Sequence, residues 1–283
     1  MYGPNNPNNY QVTSMMLPTF FRRTTKHRTL PIFKHGLAAG LLGLVLALTG
    51  TSTAMAAETL KAGGTPSGIP FTFLDIQNNE ITGAMVDLIH ALGDDMGYDV
   101  QVQESQFNAL IPSLTSGKID IISAAMLKTP ERAEVVSFSD NVFPYGEGVV
   151  IRDDYEGNIN TLEDLSGEVI GAQVGTTYVE QLNAKGIFPE VRNYDTLADM
   201  MRDISLGRII AGVGDAPIIN YQLSQGKFPD LKLAENYQQE MVGHIGLAVA
   251  QDNTELLERV NTSLAKLKGD GTVDAIFSKW GLQ

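Results

Sequence analysis

The chain has 283 residues, no cysteine, and 33 acidic against 20 basic side chains, which gives a net charge of −13. Five of the basic residues and none of the acidic ones lie in the first 56 positions, so the remainder carries a net charge of −18. This acidity argues against a nucleic-acid or anionic-membrane partner, because both require a basic face. The absence of cysteine excludes disulfides, a thiol nucleophile and lipid attachment through an N-terminal cysteine.

Residues 1–56 have the composition of a secretory signal peptide. Basic residues from Arg22 to Lys34 precede an uncharged, apolar stretch at 36–50, and the small-residue sequence Ala-Met-Ala closes the segment. A basic region, an apolar region and such a cleavage site together predict export. An uncleaved membrane anchor is the alternative, but the strongly apolar part is short for a span of roughly 20 residues. We therefore expect residues 57–283 to form a mature periplasmic protein.

Amphipathic helices and short apolar runs alternate along the rest of the chain. Apolar residues at helical spacing predict helices, and continuous apolar runs predict buried strands. In chain order, the pattern predicts helix 85–96, strand 99–103, helix 107–114, strand 119–125, a helix opened by segment 126–132, strand 148–151, helix 162–165, strand 169–173, helix 178–183, strand 190–193, helix 196–206, strand 209–213, helix 216–223, strand 245–250, and helices around 257–267 and 273–280. This alternation is typical of an α/β fold with largely parallel sheets.

The residues on which most enzymes and metal sites depend are scarce. Beyond the first 56 residues the histidines are His90, which falls within an otherwise apolar helix and is interpreted as structural, and His244. The sequence contains no HExxH, CxxC, GxSxG or Walker pattern, so none of these motifs predicts a metal site, a nucleophile or a phosphate loop. Gly212-Val-Gly214 does not continue as a dinucleotide fingerprint. We predict neither a cofactor nor a metal.

A cation occupies an unusual place in the segment Met-Leu-Lys-Thr-Pro-Glu-Arg at 126–132. Thr129, followed by proline and an acidic residue, predicts a helix N-terminus. Arg132 then lies at the positive end of that helix, which disfavours a cation by about 0.3–1 kcal/mol unless an anion lies beside it. A bidentate pair with a bound carboxylate would supply the anion. A plain surface arginine is the alternative.

Two further strand-to-helix turns carry groups that suit a zwitterion. The Gly-Thr-Thr turn at 175–177 offers backbone N–H donors, and Thr176 and Thr177 add hydroxyls. Asp215 follows another apolar strand and is placed to accept hydrogen bonds from an ammonium group. Each group alone is also consistent with a simple helix cap. Together with Arg132 they predict a receptor for a small molecule that carries a carboxylate and an ammonium.

A set of motifs stands in a fixed order along the chain. They are IPFTF (69–73), GAMVDL (83–88), FNALIPSLTSGKIDIISAAM (107–126), TPERAEVVSFSD (129–140), NTLEDLSGEVIGAQVGTT (160–177), GRIIAGVGDAP (207–217), IGLAV (245–249) and LAKLKGDGTVDAIFSKWG (264–281). Single motifs are weak signals, whereas the ordered set is specific. Through it, residues 58–283 resemble the bacterial extracellular solute-binding proteins of family 3, the periplasmic polar amino-acid receptors of ABC importers.

The resemblance implies the type II periplasmic-binding-protein fold. Two α/β lobes, each with a mixed, mostly parallel sheet, are joined by two crossover strands, and the ligand lies between the lobes. The crossovers should fall near residues 145–150 and 243–247. The first lobe would then comprise residues 57–146 plus 245–283, and the second residues 147–244.

The resemblance also implies a role for the candidate residues. Arg132 binds the α-carboxylate of the ligand with the help of Thr177. Asp215 binds the α-ammonium together with the backbone carbonyl of Ala125. Gln173 is positioned to contact the ligand side chain.

The remaining positions bear on which ligand is bound. Phe107 is implied to pack on the ligand, although its place on an apolar helix stripe is also consistent with core packing. Leu127 stands where many members have a hydroxyl, Gly68 where many have an aromatic residue, and Thr65 where an acidic residue is common. One hydrogen bond and one stacking face are therefore lost. An imino acid or ectoine-like compound is then as consistent with the sequence as a standard polar amino acid.

We therefore predict a monomeric periplasmic receptor, not an enzyme, that delivers a small zwitterion to a membrane ABC permease. Some relatives on the same fold are cyclohexadienyl dehydratases, so an enzyme of that type is the alternative. It would require a second acid in the cleft, for which Glu104 and Glu147 are the candidates. A sensor module of a membrane kinase is disfavoured because no transmembrane segment or catalytic domain follows in this sequence.

Overall fold

The computed structural model describes residues 57–282, which form an α/β fold. The strands are β1 (Glu58–Gly64), β2 (Ser67–Gly68), β3 (Thr72–Asp75), β4 (Glu80–Thr82), β5 (Tyr98–Glu104), β6 (Ile121–Leu127), β7 (Val136–Phe138), β8 (Phe143–Tyr145), β9 (Glu147–Arg152), β10 (Val169–Gln173), β11 (Glu190–Tyr194), β12 (Ala211–Asp215), β13 (Leu231–Leu233) and β14 (Gly243–Ala250). The helices are α1 (Ala84–Met96), α2 (Leu110–Thr115), α3 (Pro130–Ala133), α4 (Thr177–Lys185), α5 (Leu197–Ser205), α6 (Ala216–Ser224), α7 (Thr254–Gly269) and α8 (Thr272–Lys279). The predicted signal peptide lies outside the described residues.

The first sheet has the strand order β5-β1-β6-β14-β7, with β8 beside β14. β1 runs parallel to β5 and β6, whereas β14 runs antiparallel to β6, β7 and β8. Every residue of β6 is buried, as expected for a central strand covered on both faces. α1 packs on this sheet, and its buried residues Met85, Leu88, Ile89 and Leu92 repeat at the spacing of one helix face.

The second sheet has the strand order β11-β10-β12-β9-β13. β10 runs parallel to β11 and β12, and β9 runs antiparallel to β12 and β13. The absence of a side chain at Gly212 in β12 makes room for α5, because a β-carbon there would lie 2.6 Å from the sulfur of Met200. Both large sheets are therefore mixed, and the predicted α/β class is confirmed.

The chain passes between the two sheets at two adjacent places. It leaves the first sheet after β8, and Gly146 alone separates β8 from β9 of the second sheet. It returns through β14, whose first residue, Gly243, pairs with Tyr145 of β8. Two adjacent passages allow two parts of a chain to rotate about one axis. The lobe boundaries at 57–146, 147–244 and 245–283 stay a prediction.

An aromatic cluster packs beside the first passage. The ring of Phe71 lies 5.7 Å from that of Tyr145 and 6.0 Å from that of Phe143, measured between centroids. Phe143 stacks on Phe277 of α8 at 5.0 Å. Phe71 is fully buried, so the cluster fixes the Tyr145 side chain at the junction of the two sheets.

Some predicted elements differ from the observed ones. The strand predicted at 119–125 lies two residues later, because the preceding turn extends through residue 120. The helix predicted after segment 126–132 is only the single turn α3, and residues 162–165 form a 3-10 turn. The three-stranded sheet β2-β3-β4 was not predicted, since its short, mostly half-buried strands lack a clear apolar alternation. Within residues 57–282, no helix is long and apolar enough to cross a membrane.

Glu147 anchors segment 237–241 to the start of β9. Its side chain is fully buried. The carboxylate accepts hydrogen bonds from the Tyr237 hydroxyl at 2.7 Å and from the backbone N–H groups of Glu240 and Met241 at 2.6 and 3.0 Å. A carboxylate is tolerated in a protein interior when its lone pairs are satisfied in this way. Glu147 is therefore a structural residue.

Replacing Glu147 with Gln should lower the free energy of unfolding by about 2 kcal/mol, because the amide nitrogen would face a donor where an acceptor is needed. Urea denaturation followed by circular dichroism at pH 7 measures this. Glu235→Gln, at an exposed position near the same segment, should leave the stability unchanged. Equal stability of the Glu147→Gln variant and the parent would show that the three hydrogen bonds do not anchor the segment.

Candidate functional site

Three strand-to-helix turns meet between the two large sheets. They follow β6 of the first sheet and β10 and β12 of the second. Arg132, after β6, donates from Nη2 to the carbonyl oxygen of Gly175, after β10, at 3.0 Å. Tyr178 of α4 donates from its hydroxyl to Asp215, at the end of β12, at 2.6 Å. Ligands of open α/β sheets bind at the carboxyl ends of strands, and the predicted charged residues converge there.

Arg132 is buried, with 9 % of its surface exposed. Its Nη1 donates to the backbone oxygen of Leu127 at 2.7 Å, and its guanidinium carbon lies 5.6 Å from the centroid of the Phe107 ring. Burial lowers the pKa of Arg132, but an arginine keeps its charge in proteins. Because a guanidinium has five N–H donors, the two hydrogen bonds to backbone oxygens leave donors free for a carboxylate.

The helix that begins after Thr129 is too short to explain Arg132 by its dipole. Thr129 is the N-cap, and its hydroxyl accepts the N–H of Arg132 at 3.3 Å, as the sequence predicted. However, α3 contains four residues, and the macrodipole is a sum over aligned peptide units. The feature that singles out Arg132 is therefore its burial as a charged group.

Asp215 provides the opposite charge. It precedes α6 at the N-cap position, but its side chain makes no capping bond; it accepts from the Tyr178 hydroxyl instead. Burial raises the pKa of Asp215 to about 6, opposed by the hydrogen bond from Tyr178 and by the charge of Arg132. The ion pairs within the described residues do not include Arg132 with Asp215. The site thus has two separate buried charges of opposite sign.

The sequence did not single out two tyrosines of the site. Tyr178 directly follows the Gly-Thr-Thr turn, and Tyr145 ends β8 at the first passage between the sheets. The Tyr145 hydroxyl donates to the backbone oxygen of Ala125 at 2.6 Å and interacts with Asp215. Burial raises the pKa of both tyrosines well above the ordinary value, so both hydroxyls are neutral donors at neutral pH. The sequence signal that could have identified them is their position beside the predicted turn and the predicted crossover.

The backbone at the end of β6 is unusual. Ala125 has a φ of +51°, a left-handed conformation that is uncommon for a residue with a β-carbon and concentrates at functional sites. The structure places its carbonyl oxygen against Tyr145. Leu127 occupies the position at which the resemblance leads one to expect a ligand-binding hydroxyl. Its backbone oxygen accepts a hydrogen bond from Arg132.

The remaining candidates lie around these charges. The Gln173 side chain is buried and donates to the backbone oxygen of Asp195 at 3.0 Å. Thr176, rather than Thr177, is the N-cap of α4, and neither hydroxyl makes a capping bond. The Thr176 hydroxyl donates to the backbone oxygen of Gln173, and the Thr177 hydroxyl accepts from Gln181 at 3.1 Å. Phe107 is half-buried in a 3-10 turn beside Arg132.

The acids considered for an enzyme do not join the site. Glu147 is held by the three donors described above, and Glu104 is exposed at the end of β5. His90 is exposed on α1, and His244 is also exposed. No group of three or more His, Asp or Glu residues within positions 57–282 could hold a metal ion.

A groove of about 720 Å³ lies beside the first passage between the sheets and includes Tyr145 in its lining. Pro217, Tyr221 and Trp280 contribute to its walls, but Arg132 and Asp215 do not. The buried charges therefore lie outside this groove. We locate the functional site by those charges, since burying a charged group without an ionic partner is costly and calls for a partner from outside the chain.

The raised pKa of Asp215 makes stability depend on pH. Because the folded pKa of about 6 exceeds the ordinary 3.8, ionisation of Asp215 costs stability, on the order of 3 kcal/mol. This cost is absent below about pH 4 and complete above about pH 7. Asp215→Asn removes the titration, so its stability relative to the parent should rise over that pH range. Urea unfolding at a series of pH values tests this, and a pH-independent difference would contradict the buried-carboxylate assignment.

Comparison with known proteins identifies the family. Residues 60–283 match the model of the bacterial extracellular solute-binding proteins, family 3. The chain is 33% identical over 233 residues to the putative ABC transporter arginine-binding protein 2 of Escherichia coli (strain K12), a match that covers 81% of this chain and 93% of that protein.

Solved structures give the same result. An ancestral arginine-binding protein bound to arginine aligns with a TM-score of 0.73 and 33% identity, over 80% of this chain and 99% of that one. The ancestral amino acid-binding protein AncCDT-1, a precursor of cyclohexadienyl dehydratase, aligns with a TM-score of 0.70 and 30% identity, over 78% and 95%. The type II periplasmic-binding-protein fold is thereby confirmed. The chain belongs to the bacterial extracellular solute-binding proteins, family 3.

Proposed function

We propose that the protein is a periplasmic receptor that captures a small zwitterion between two lobes and delivers it to an ABC permease. The observation that carries this is the pair of buried, separate charges: Arg132 reaches the site from the first sheet and Asp215 from the second. A ligand with a carboxylate and an ammonium would match both. The family assignment supports receptor function, and the receptor is proposed to act as a monomer without a nucleic-acid partner.

Capture would work by closure of the two lobes. The ligand carboxylate binds Arg132, helped by the backbone N–H and hydroxyl of Thr177, and the ammonium binds Asp215. A ligand that bridges groups on both sheets binds the closed arrangement better than the open one and so shifts the equilibrium toward it. The contact between Arg132 and Gly175 shows that the guanidinium reaches across the junction.

The charges of the site favour a ligand with an uncharged body. The buried charged side chains among residues 57–282 are Arg132, Glu147 and Asp215, and the lone pairs of Glu147 are already used. A ligand with a second cation would therefore find no buried carboxylate. An imino acid, an ectoine-like compound or a small neutral amino acid fits best, with Phe107 and Gln173 contacting its body.

Arginine is a second candidate ligand. The chain resembles proteins described as arginine-binding, and the exposed Glu180 lies close enough to Arg132 to affect its pKa. A single exposed carboxylate is a weak partner for a guanidinium because water screens the interaction. We therefore expect arginine to bind less tightly than zwitterions with an uncharged body.

An enzyme is the less supported function. An acid with a pKa of about 6, as in Asp215, suits proton transfer near neutral pH, and one structural relative is a precursor of a dehydratase. The site as described offers Asp215 as its single buried, available carboxyl group. We therefore propose binding without turnover. Product analysis after incubation with cyclohexadienyl acids distinguishes the two functions.

Binding should depend on Arg132. Unfolding and refolding the protein removes any ligand that was carried through purification. Calorimetry on the refolded protein then identifies the ligand from a panel of neutral amino acids, imino acids, ectoine-type solutes and arginine. Arg132→Ala should weaken the binding of that ligand by several kcal/mol, because the ligand carboxylate would lose its charge partner. Arg202→Ala, at an exposed arginine, should bind like the parent. Unchanged affinity of Arg132→Ala would refute the assignment.

Binding should also weaken in acid. Asp215 accepts from an ammonium only when ionised, and its pKa is about 6. The affinity should therefore be constant above about pH 7 and fall by up to about tenfold per pH unit well below pH 6. Titration calorimetry between about pH 5 and 8 measures the profile. Glu180→Gln should keep the same profile, whereas a flat profile for the parent protein would exclude Asp215 as the ammonium partner.

A further inference from the structure

The turn after β10 touches the other side of the junction at a glycine. Arg132, after β6, donates to the carbonyl oxygen of Gly175 at 3.0 Å. A β-carbon at Gly175 would lie 2.7 Å from the α-carbon of Asn108 and 3.2 Å from its backbone nitrogen. Asn108 belongs to the 3-10 turn Phe107–Ala109, which leads into α2 beside the first sheet. The backbones of Gly175 and Asn108 are therefore in direct contact across the junction.

Two different reasons could require a glycine at this position. Gly175 has a φ of +80°, which by itself favours glycine. Gly186, at the other end of α4, has a φ of +64°, but a β-carbon there would meet nothing within 4 Å. The two glycines that flank α4 thus share the backbone requirement, and of the two only Gly175 makes the contact across the junction. Gly186 is therefore a matched control within the same chain.

We propose that Gly175 is a positioning residue for ligand capture, because its lack of a side chain allows Arg132 and Thr177 to approach each other across the ligand carboxylate. The inference rests on the proposed function, since it concerns the carboxylate end of the same ligand. The contact lies beside both groups. Asn108 follows Phe107, whose ring lies beside Arg132, and Thr177 is two residues after Gly175. The contact thus limits how far the lobes can close on this side.

A side chain at position 175 should hold the two sides apart. Non-bonded carbon atoms pack at about 3.5–4.0 Å, so a β-carbon 2.7 Å from Asn108 requires a shift of roughly 1 Å. The obstacle is backbone, which cannot rotate away as a flexible side chain can. A carboxylate that spans the gap would lose hydrogen-bonding distance to one side. Gly175 and Asn108 are both exposed, so the fold should tolerate the change.

The test compares Gly175→Asn with Gly186→Asn by titration calorimetry against alanine, proline, ectoine and arginine. Asparagine tolerates the left-handed backbone better than most residues with a β-carbon, so both variants should unfold in urea near the parent's midpoint. Gly175→Asn should bind the tightest-binding probe roughly tenfold to a hundredfold more weakly. The loss should lie in faster dissociation, measured by stopped flow, because encounter precedes closure. Gly186→Asn should bind like the parent.

Alanine variants separate the contact from backbone strain, and they decide the question if Gly175→Asn does not fold. Gly175→Ala adds the same β-carbon and should lose as much affinity, whereas Gly186→Ala, strained but without a contact, should lose stability only. Parent-like affinity of the Gly175 variants, or an equal loss of affinity at Gly186, overturns the inference and leaves the proposed function intact. Failure of all four probes to bind the parent overturns both.

Discussion

The burial of the Arg132 guanidinium between the two sheets is the interaction on which the site depends. The backbone oxygens of Leu127, at the end of β6, and of Gly175, in the turn after β10, accept its hydrogen bonds. Neutral carbonyls compensate only part of the cost of removing a cation from water, which amounts to several kcal/mol. Asp215 has the opposite charge but makes no direct ion pair with it. The fold therefore holds two incompletely compensated charges, and a zwitterion is the small molecule that neutralises both.

The same part of the molecule carries other unfavourable features. Ala125 adopts a left-handed backbone conformation, and Asp215 has a raised pKa because of its burial. Each costs of order 1–3 kcal/mol in isolation. By contrast, the buried Glu147, a short distance along the chain, has a full set of donors. The fold thus supplies hydrogen-bond donors to the carboxylate that anchors a segment, and it leaves the charges of the groups proposed to bind the ligand incompletely compensated.

Much of the fold and part of the site could be predicted from local sequence. Apolar spacing located most helices and strands, and the turn residues placed Arg132 and Asp215 after their strands. Tyr145 and Tyr178 were missed because an aromatic residue in a strand or on a helix predicts core packing, and both rings are indeed buried. Only the tertiary structure shows which groups their hydroxyls contact. The conformation of Ala125 was equally hidden, because nothing in an alanine encodes a positive φ.

The net negative charge of the chain and the buried arginine act on a solute over different distances. A net charge of −18 beyond residue 56 repels anions and attracts cations, but salt limits this field to about 8 Å at physiological ionic strength. A zwitterion has no net charge and approaches without penalty. Inside the site, Arg132 rejects a simple cation and Asp215 rejects a simple anion at contact distance. The surface and the site together thus disfavour singly charged solutes and favour a zwitterion.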